Sequence, residues 1–123
     1  MVIRIASMVL SLAGALALIL GLFFWFGAAL NLVSMHMLLG LLAVGALWVI
    51  GIAQALSKGA SWVIAAVALI VGAITAGLGM IQSSLMVGDF HWVIQVIHLF
   101  LGISIIGLGH MAAARHRKVT TTK

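Results

Sequence analysis

Residues 35–45 read Met-His-Met-Leu-Leu-Gly-Leu-Leu-Ala-Val-Gly, and residues 97–107 read Ile-His-Leu-Phe-Leu-Gly-Ile-Ser-Ile-Ile-Gly. Both stretches fit the pattern H-x-x-L-G-x-x-x-x-G, which places His36 in register with His98. The pattern also aligns Leu39, Gly40 and Gly45 with Leu101, Gly102 and Gly107. Each copy lies near the start of a long apolar run, where a histidine is costly, so the matched pair predicts a shared function.

The composition excludes a soluble globular domain. The chain is 66% hydrophobic and only 6% charged, and 123 residues with so few charges could not cover a surface exposed to water. The unbroken apolar runs predict membrane-spanning helices, because membrane strands would alternate apolar and polar residues. The absence of cysteine from the sequence excludes disulfides, iron–sulfur clusters and covalent haem attachment through a C-x-x-C-H motif.

The predicted fold is an all-α integral membrane four-helix bundle that occupies one domain over residues 1–114. The spans are expected at about 5–26, 32–56, 61–87 and 90–114, followed by a basic tail over 115–123. The shift that superposes the two histidines also superposes the first helical hairpin on the second. The bundle is therefore expected to consist of two pseudo-repeated hairpins whose second and fourth helices run parallel.

The few charges predict the orientation in the membrane. Arg4, Lys58 in the predicted Ser57-Lys58-Gly59 turn and the basic tail fall on one side, and the only acid, Asp89, falls on the other. The positive-inside rule therefore predicts cytoplasmic termini, and a bacterial or archaeal inner membrane is the expected location. The lipid bilayer is the expected partner and nucleic acid is not, because the sequence has no basic surface outside the tail. We expect His116, in that tail, to be solvated.

A haem with two histidine ligands requires imidazoles at one depth on facing helices and room for a flat macrocycle. His36 and His98 meet the first requirement if the second and fourth helices face each other. Gly40 and Gly102 follow the histidines by one helical turn, so each shares the face of its histidine and would let a porphyrin approach the backbone. We predict His36 and His98 as metal ligands and the two glycines as cofactor-binding residues.

The sequence offers few side chains that could bind the propionates of a haem. His91 lies two turns before His98 on the same face, and Gln95 adds to this polar stripe, so both are candidate cofactor-binding residues. For His91, an interfacial position facing water is an equally open interpretation. His110 lies about 120° around the helix from His98 and has no counterpart in the second helix, so a second haem is not expected.

The segments around His36 and His98 resemble the histidine motifs in one four-helix half of the haem A synthase family. The resemblance implies that the second and fourth helices carry paired haem-ligating histidines. That family places a glutamate shortly before the first histidine of its catalytic half, whereas residues 32–35 here are Leu-Val-Ser-Met. The resemblance therefore implies haem binding and does not extend to haem oxidation.

The resulting prediction is a small membrane b-type cytochrome that binds one haem b and transfers electrons to a redox partner or within a larger membrane complex, rather than an enzyme. One alternative is a cofactor-free accessory subunit, in which the histidines bond to neighbouring helices and the glycines only pack. Another is a protein that binds a chlorophyll-type tetrapyrrole through magnesium. The sequence also does not exclude a homo-oligomer.

Two further classes are excluded by missing residues. A proton-coupled exporter of this size needs a carboxylate inside the membrane, and Asp89 falls in a predicted turn. A hydrolase needs a nucleophile, a base and an acid, and the sequence contains no such set.

Overall fold

A computed structural model of the chain describes residues 1–57 and 60–121, which form four long helices and no strand. The helices are α1 (Val2–Trp25), α2 (Val33–Ala55), α3 (Trp62–Ile81) and α4 (His91–Thr121). Each is long and apolar enough to cross a membrane. The predicted all-α four-helix bundle is thus confirmed. Lys58 and Gly59 of the predicted turn, and Thr122 and Lys123 of the predicted tail, lie outside the described residues.

The outer surface of the bundle is apolar, which is the reverse of a soluble protein. Leu12 and Phe100 are each 65% exposed, and Ile70 is 59% exposed. A backbone surrounded by lipid must satisfy its own hydrogen bonds, which favours continuous helices in such a sequence. These outward side chains are suited to contact with lipid tails.

A glycine ends α1. Gly27 has φ +72°, a left-handed conformation that glycine adopts without a Cβ penalty. The Gly27 amide donates to the Phe24 carbonyl and the Ala28 amide donates to the Phe23 carbonyl, each at 2.9 Å. This pair of bonds is a Schellman motif, and a short 3-10 turn over Leu30–Leu32 then leads into α2.

The third helix is shorter than the predicted span of 61–87. It ends at Ile81, followed by a 3-10 turn over Gln82–Ser84 and a loop in which Gly88 has φ +111°. The Ser84 hydroxyl donates to the Ile81 carbonyl at 2.7 Å, so a side chain replaces the next helical bond. The 20 residues of α3 still extend about 30 Å, enough to span a bilayer core.

The fourth helix continues past its predicted end at 114. Its 31 residues reach Thr121 and extend about 46 Å, well beyond the thickness of a bilayer core. The first part of the predicted basic tail, up to Thr121, is therefore a helical extension of α4.

A buried amide closes the connection between α2 and α3. Gln54 is 1% exposed, and in the orientation that satisfies both ends its amide nitrogen donates to the Ser61 carbonyl at 3.2 Å. Its oxygen then accepts from the Ser61 amide at 3.1 Å. Ser61 precedes α3, so Gln54 holds the start of that helix against the end of α2.

The helix that carries His36 lies at the centre of the bundle. It packs against α1, α3 and α4, and α4 in turn packs against α1 and α3. Successive helices are antiparallel, because the same cavity is lined by the C-terminal halves of α1 and α3 and the N-terminal halves of α2 and α4. The two helices that carry the matched histidines are therefore parallel neighbours, with α1 and α3 on either side of them.

The core is concentrated at one end of the bundle. Leu10, Leu47, Ile50 and Ala112 are all 0% exposed and come from the N-terminal half of α1 and the C-terminal halves of α2 and α4. Gly109 is part of this contact, because a Cβ there would collide with the side chain of Leu10 and lie 3.5 Å from Leu47 Cδ1. The opposite end contains the cavity.

We expect Gly109→Ala to destabilise the bundle by about 1–3 kcal/mol, because the added methyl group overpacks the contact with Leu10. Gly107→Ala is the matched control, since a Cβ at Gly107 would have no described atom within 4 Å. Thermal unfolding in detergent, followed by helicity, measures both. Equal unfolding temperatures for the two variants would contradict the tight packing at Gly109.

Candidate functional site

A cavity lies between the four helices at the end of the bundle opposite the packed core. Its empty space, including the part open to the outside, is about 1090 Å³. The walls come from residues 14–25, 36–44, 75–82 and 95–105, and they are mostly apolar.

The two matched histidines face each other in this cavity. The ring centroids of His36 and His98 are 6.2 Å apart, and the ring planes are inclined by 62°. Both side chains are half-buried and line the cavity wall. The parallel packing of α2 and α4 brings the equivalent positions of the two motifs to the same depth.

The His36 ring is held by α1. Its Nδ1 lies 2.9 Å from the Ala17 carbonyl, which can only accept, so Nδ1 carries the proton and donates. The Nε2 atom is then the unprotonated nitrogen, with a lone pair available to a metal. The Phe24 ring meets the imidazole edge-on at a centroid distance of 5.3 Å. Gly21 allows the close approach, because a Cβ there would lie 3.4 Å from His36 Cε1.

The His98 ring is held less tightly. Its Nδ1 atom is buried and has no hydrogen-bond partner among the described residues. The ring packs against Gly79 of α3, where a Cβ would lie 2.9 Å from His98 Cε1 and 3.5 Å from Nε2. Each histidine thus lies beside a glycine of the preceding helix, but only His36 has a carbonyl partner.

The first glycine of each motif lines the cavity and the second does not. A Cβ at Gly40 would have no described atom within 4 Å, and a Cβ at Gly102 would make an ordinary contact with Leu18 Cδ2 at 3.5 Å. Both positions border the cavity. Gly45 and Gly107 are equally open to an added Cβ but lie outside the lining. The repeated motif therefore places one glycine in each helix where a larger side chain would enter the cavity.

The two candidate propionate contacts separate in the structure. Gln95 lines the cavity together with Gln82, which follows α3. His91 is outside the described lining, and its Nδ1 donates to the Leu85 carbonyl at 3.0 Å. His91 therefore holds the loop before α4, and the amides of Gln82 and Gln95 supply polar groups to the cavity wall.

The remaining histidines bind serines at the packed end of the bundle. Nε2 of His110 lies 3.1 Å from the Ser11 hydroxyl. Nδ1 of His116 lies 2.7 Å from the Ser57 hydroxyl, so the expectation that His116 is simply solvated is wrong. The serine hydroxyls themselves donate to the carbonyls of Ser7 and Ala53, which leaves them as acceptors for the imidazole N–H groups. These bonds attach the long α4 to α1 and to the end of α2.

Several site residues could not be found from the sequence. The Ala17 carbonyl and Phe24 hold His36, and Gly21 and Gly79 make room for the two rings. Gly79 belongs to a run of small residues in α3, but such runs also occur wherever membrane helices pack closely. Gln82 follows Thr75 and Gly79 at helical spacing and so shares their cavity-facing side, but no motif in the sequence marks that side of α3.

The site offers two imidazoles and few other ligands. Within the described part of the chain, no group of three or more histidine, cysteine or acidic side chains could hold a metal ion. A bare zinc ion in a protein takes at least three protein ligands.

Comparison of the chain with protein-family models, curated proteins and solved structures gives no match.

Proposed function

We propose that the protein is a small membrane b-type cytochrome that holds one haem b between His36 and His98 and transfers single electrons. The observation that carries this proposal is the pair of facing imidazoles at 6.2 Å in a cavity. Two imidazoles this close together would be the residues that hold the haem.

The walls of the cavity suit a flat ring between α2 and α4. On the α1 side the lining includes Gly14, Ala17 and Gly21, and on the α3 side it includes Ala76 and Gly79. Gly21 and Gly79 let the two imidazole rings approach α1 and α3, and Gly40, where an added Cβ would have nothing within 4 Å, borders open space in the same cavity. Gln82 and Gln95 are the uncharged donors that would bind the propionates.

The protein side of the mechanism is the placement of two neutral imidazoles. The bond from His36 Nδ1 to the Ala17 carbonyl selects the tautomer in which Nε2 is the ligand. Haem, when bound, supplies one-electron oxidation and reduction. With both imidazoles engaged in holding it, the haem would supply electron transfer rather than oxygen chemistry. The mostly apolar walls offer water few hydrogen-bonding partners.

The resemblance to a four-helix half of haem A synthases supports the same ligand pair. Residues 32–35 lack the family's glutamate, so we propose electron transfer without oxidation of the haem itself. The electron donor or acceptor would be a redox partner or a neighbouring subunit of a larger membrane complex.

The absorption spectrum of the protein, produced with ample haem and purified in detergent, tests this proposal. We expect about one haem per chain, low-spin bands in both oxidation states, and little response of the reduced form to carbon monoxide, because both axial positions are filled. A chlorophyll-type spectrum would show that the bound tetrapyrrole is a chlorophyll and not haem. A colourless protein would overturn the proposal and favour the cofactor-free accessory subunit.

We further propose that both termini are cytoplasmic and that the cavity lies in the outer half of a bacterial or archaeal inner membrane. Arg4 and the basic end of α4 lie at the packed end, and Asp89 lies at the cavity end. Reporter fusions after Ser57 and after Asp89 should report the cytoplasm and the exterior, respectively. If both fusions reported the same compartment, or if the two were exchanged, the proposed orientation would be wrong.

A further inference from the structure

A second groove lies between α1 and α4 at the packed end of the bundle, remote from the histidine cavity. Its lining consists of Arg4, Ser7, Met8, Ser11, Leu12, His110 and Arg117. The α1 residues follow helical spacing, so they form one stripe along that helix. Electron transfer at His36 and His98 requires none of these residues.

The two arginines of the groove lie at the same level on neighbouring helices. The bond between Ser11 and His110 fixes the register of α1 against α4. From that bond, Arg4 and Arg117 are each two helical turns, about 10 Å, further toward the same end. Two guanidinium groups therefore border one end of the groove, which concentrates positive charge there.

The groove also contains a polar group that lacks a partner. The Ser7 hydroxyl is buried and has no hydrogen-bond partner among the described residues. It lies one turn from Arg4 and one turn from Ser11 on the same stripe. A buried hydroxyl without a partner is unfavourable, and rotation of the Ser7 side chain toward the groove would bring it to an acceptor oxygen there.

We propose that this groove binds the phosphate of an anionic lipid headgroup. Arg4 and Arg117 would pair with the phosphate oxygens, since guanidinium groups bind phosphate through charged, often paired, hydrogen bonds. The Ser7 hydroxyl would donate to a third oxygen. The only acidic side chain of the protein, Asp89, is at the other end of the bundle.

The surroundings favour a lipid over a phosphate ion in water. Met8 and Leu12 continue the groove away from Arg4 and are 57% and 65% exposed, so an acyl chain could lie against them. Arg4 is close to the start of α1, where that helix would leave the hydrocarbon core. Basic pockets between helices at this depth are suited to anionic headgroups.

The test measures binding of phosphatidylglycerol to the full-length protein in neutral detergent, with phosphatidylcholine and inorganic phosphate as the comparison probes. We expect about one tightly bound phosphatidylglycerol per chain and a clear preference over phosphatidylcholine. Inorganic phosphate at millimolar concentration should displace little of it. If inorganic phosphate bound as well as phosphatidylglycerol did, the site would be an anion site and the lipid assignment would be overturned.

Two variants that remove the same charge distinguish lipid binding at the groove from general attraction by the positive surface. We expect Arg117→Gln to weaken phosphatidylglycerol binding about tenfold, because it removes charged hydrogen bonds. Arg115→Gln removes the same charge two residues away, outside the groove lining, and should change binding by about twofold or less. Equal losses for the two variants would overturn the proposal.

Ser7→Ala distinguishes a role in lipid binding from a role in holding the helices together. It should weaken phosphatidylglycerol binding severalfold while leaving the unfolding temperature of the lipid-free protein unchanged or higher, because the unpaired hydroxyl is removed. Unchanged binding would contradict the proposed contact. Arg4→Gln provides a second arginine variant should Arg117→Gln fail to fold, and helicity and gel filtration verify the fold of each protein.

Discussion

Replacement of both His36 and His98 with alanine should abolish haem binding while the four helices still insert into the membrane. The apolar spans form independently of any cofactor, because lipid requires a fully bonded backbone. Each single variant should retain only weakly held, high-spin haem, since one axial ligand is lost. The loss of affinity should exceed the roughly 10–100-fold that accompanies loss of an outer-shell partner of a metal ligand. Titration with haem, followed by absorbance, measures the haem affinity of each variant.

His110→Ala is the matched control for the ligand variants. His110 is a histidine of the same helix as His98, but it bonds to Ser11 at the packed end of the bundle. We expect this variant to bind as much haem as the original protein, with an unchanged spectrum. Loss of haem from His110→Ala, or full haem binding by the double variant, would refute the assignment of His36 and His98 as the ligands.

Gly40→Leu and Gly102→Leu should each expel the cofactor, because a leucine side chain at either position would project into the cavity. We expect the haem content to fall to less than about a tenth, since overpacking a fitted site costs about 1–3 kcal/mol, or about one to two factors of ten. The folded bundle should tolerate the change, because neither position supports a tight contact between helices. Haem content per chain, together with gel filtration and helicity, distinguishes expulsion from unfolding.

The second glycine of each motif provides the control for this experiment. Gly45→Leu and Gly107→Leu introduce the same side chain into the same helices, at positions that are open to a Cβ but lie outside the cavity lining. Both variants should retain haem. If all four leucine variants lost haem equally, the effect would reflect the helices in general, and if Gly40→Leu and Gly102→Leu retained it, the two glycines would serve only packing.

The sequence alone was sufficient to predict the four helices and the two positions, His36 and His98, that face each other across the bundle. Membrane helices follow from local composition, because any long apolar segment in lipid must bond its backbone internally. The repeated motif then predicts that His36 and His98 occupy the same depth, provided that α2 and α4 are parallel. Their parallel packing around one cavity meets that condition.

The partners of those histidines depend on contacts between helices. The Ala17 carbonyl, Gly21 and Gly79 reach the rings only through the rotation of α1 and α3 about their axes, which side-chain packing along the whole helix determines. The early end of α3 likewise depends on Ser84 and on the loop after it. A sequence pattern reports which face of a helix is apolar, and here nearly every face is apolar.

The hydrogen bonds that attach α4 to α1 and α2 likewise depend on contacts between helices. The sequence places His110 and His116 near the basic end of the last helix, but nothing in their spacing indicates Ser11 or Ser57 as partners. The serines are distant along the chain and become neighbours only when the helices pack. Local composition therefore determined the helices and the matched histidines, whereas the packing of one helix against another decided the hydrogen bonds, the cavity and the groove, because these depend on atoms from separate parts of the chain.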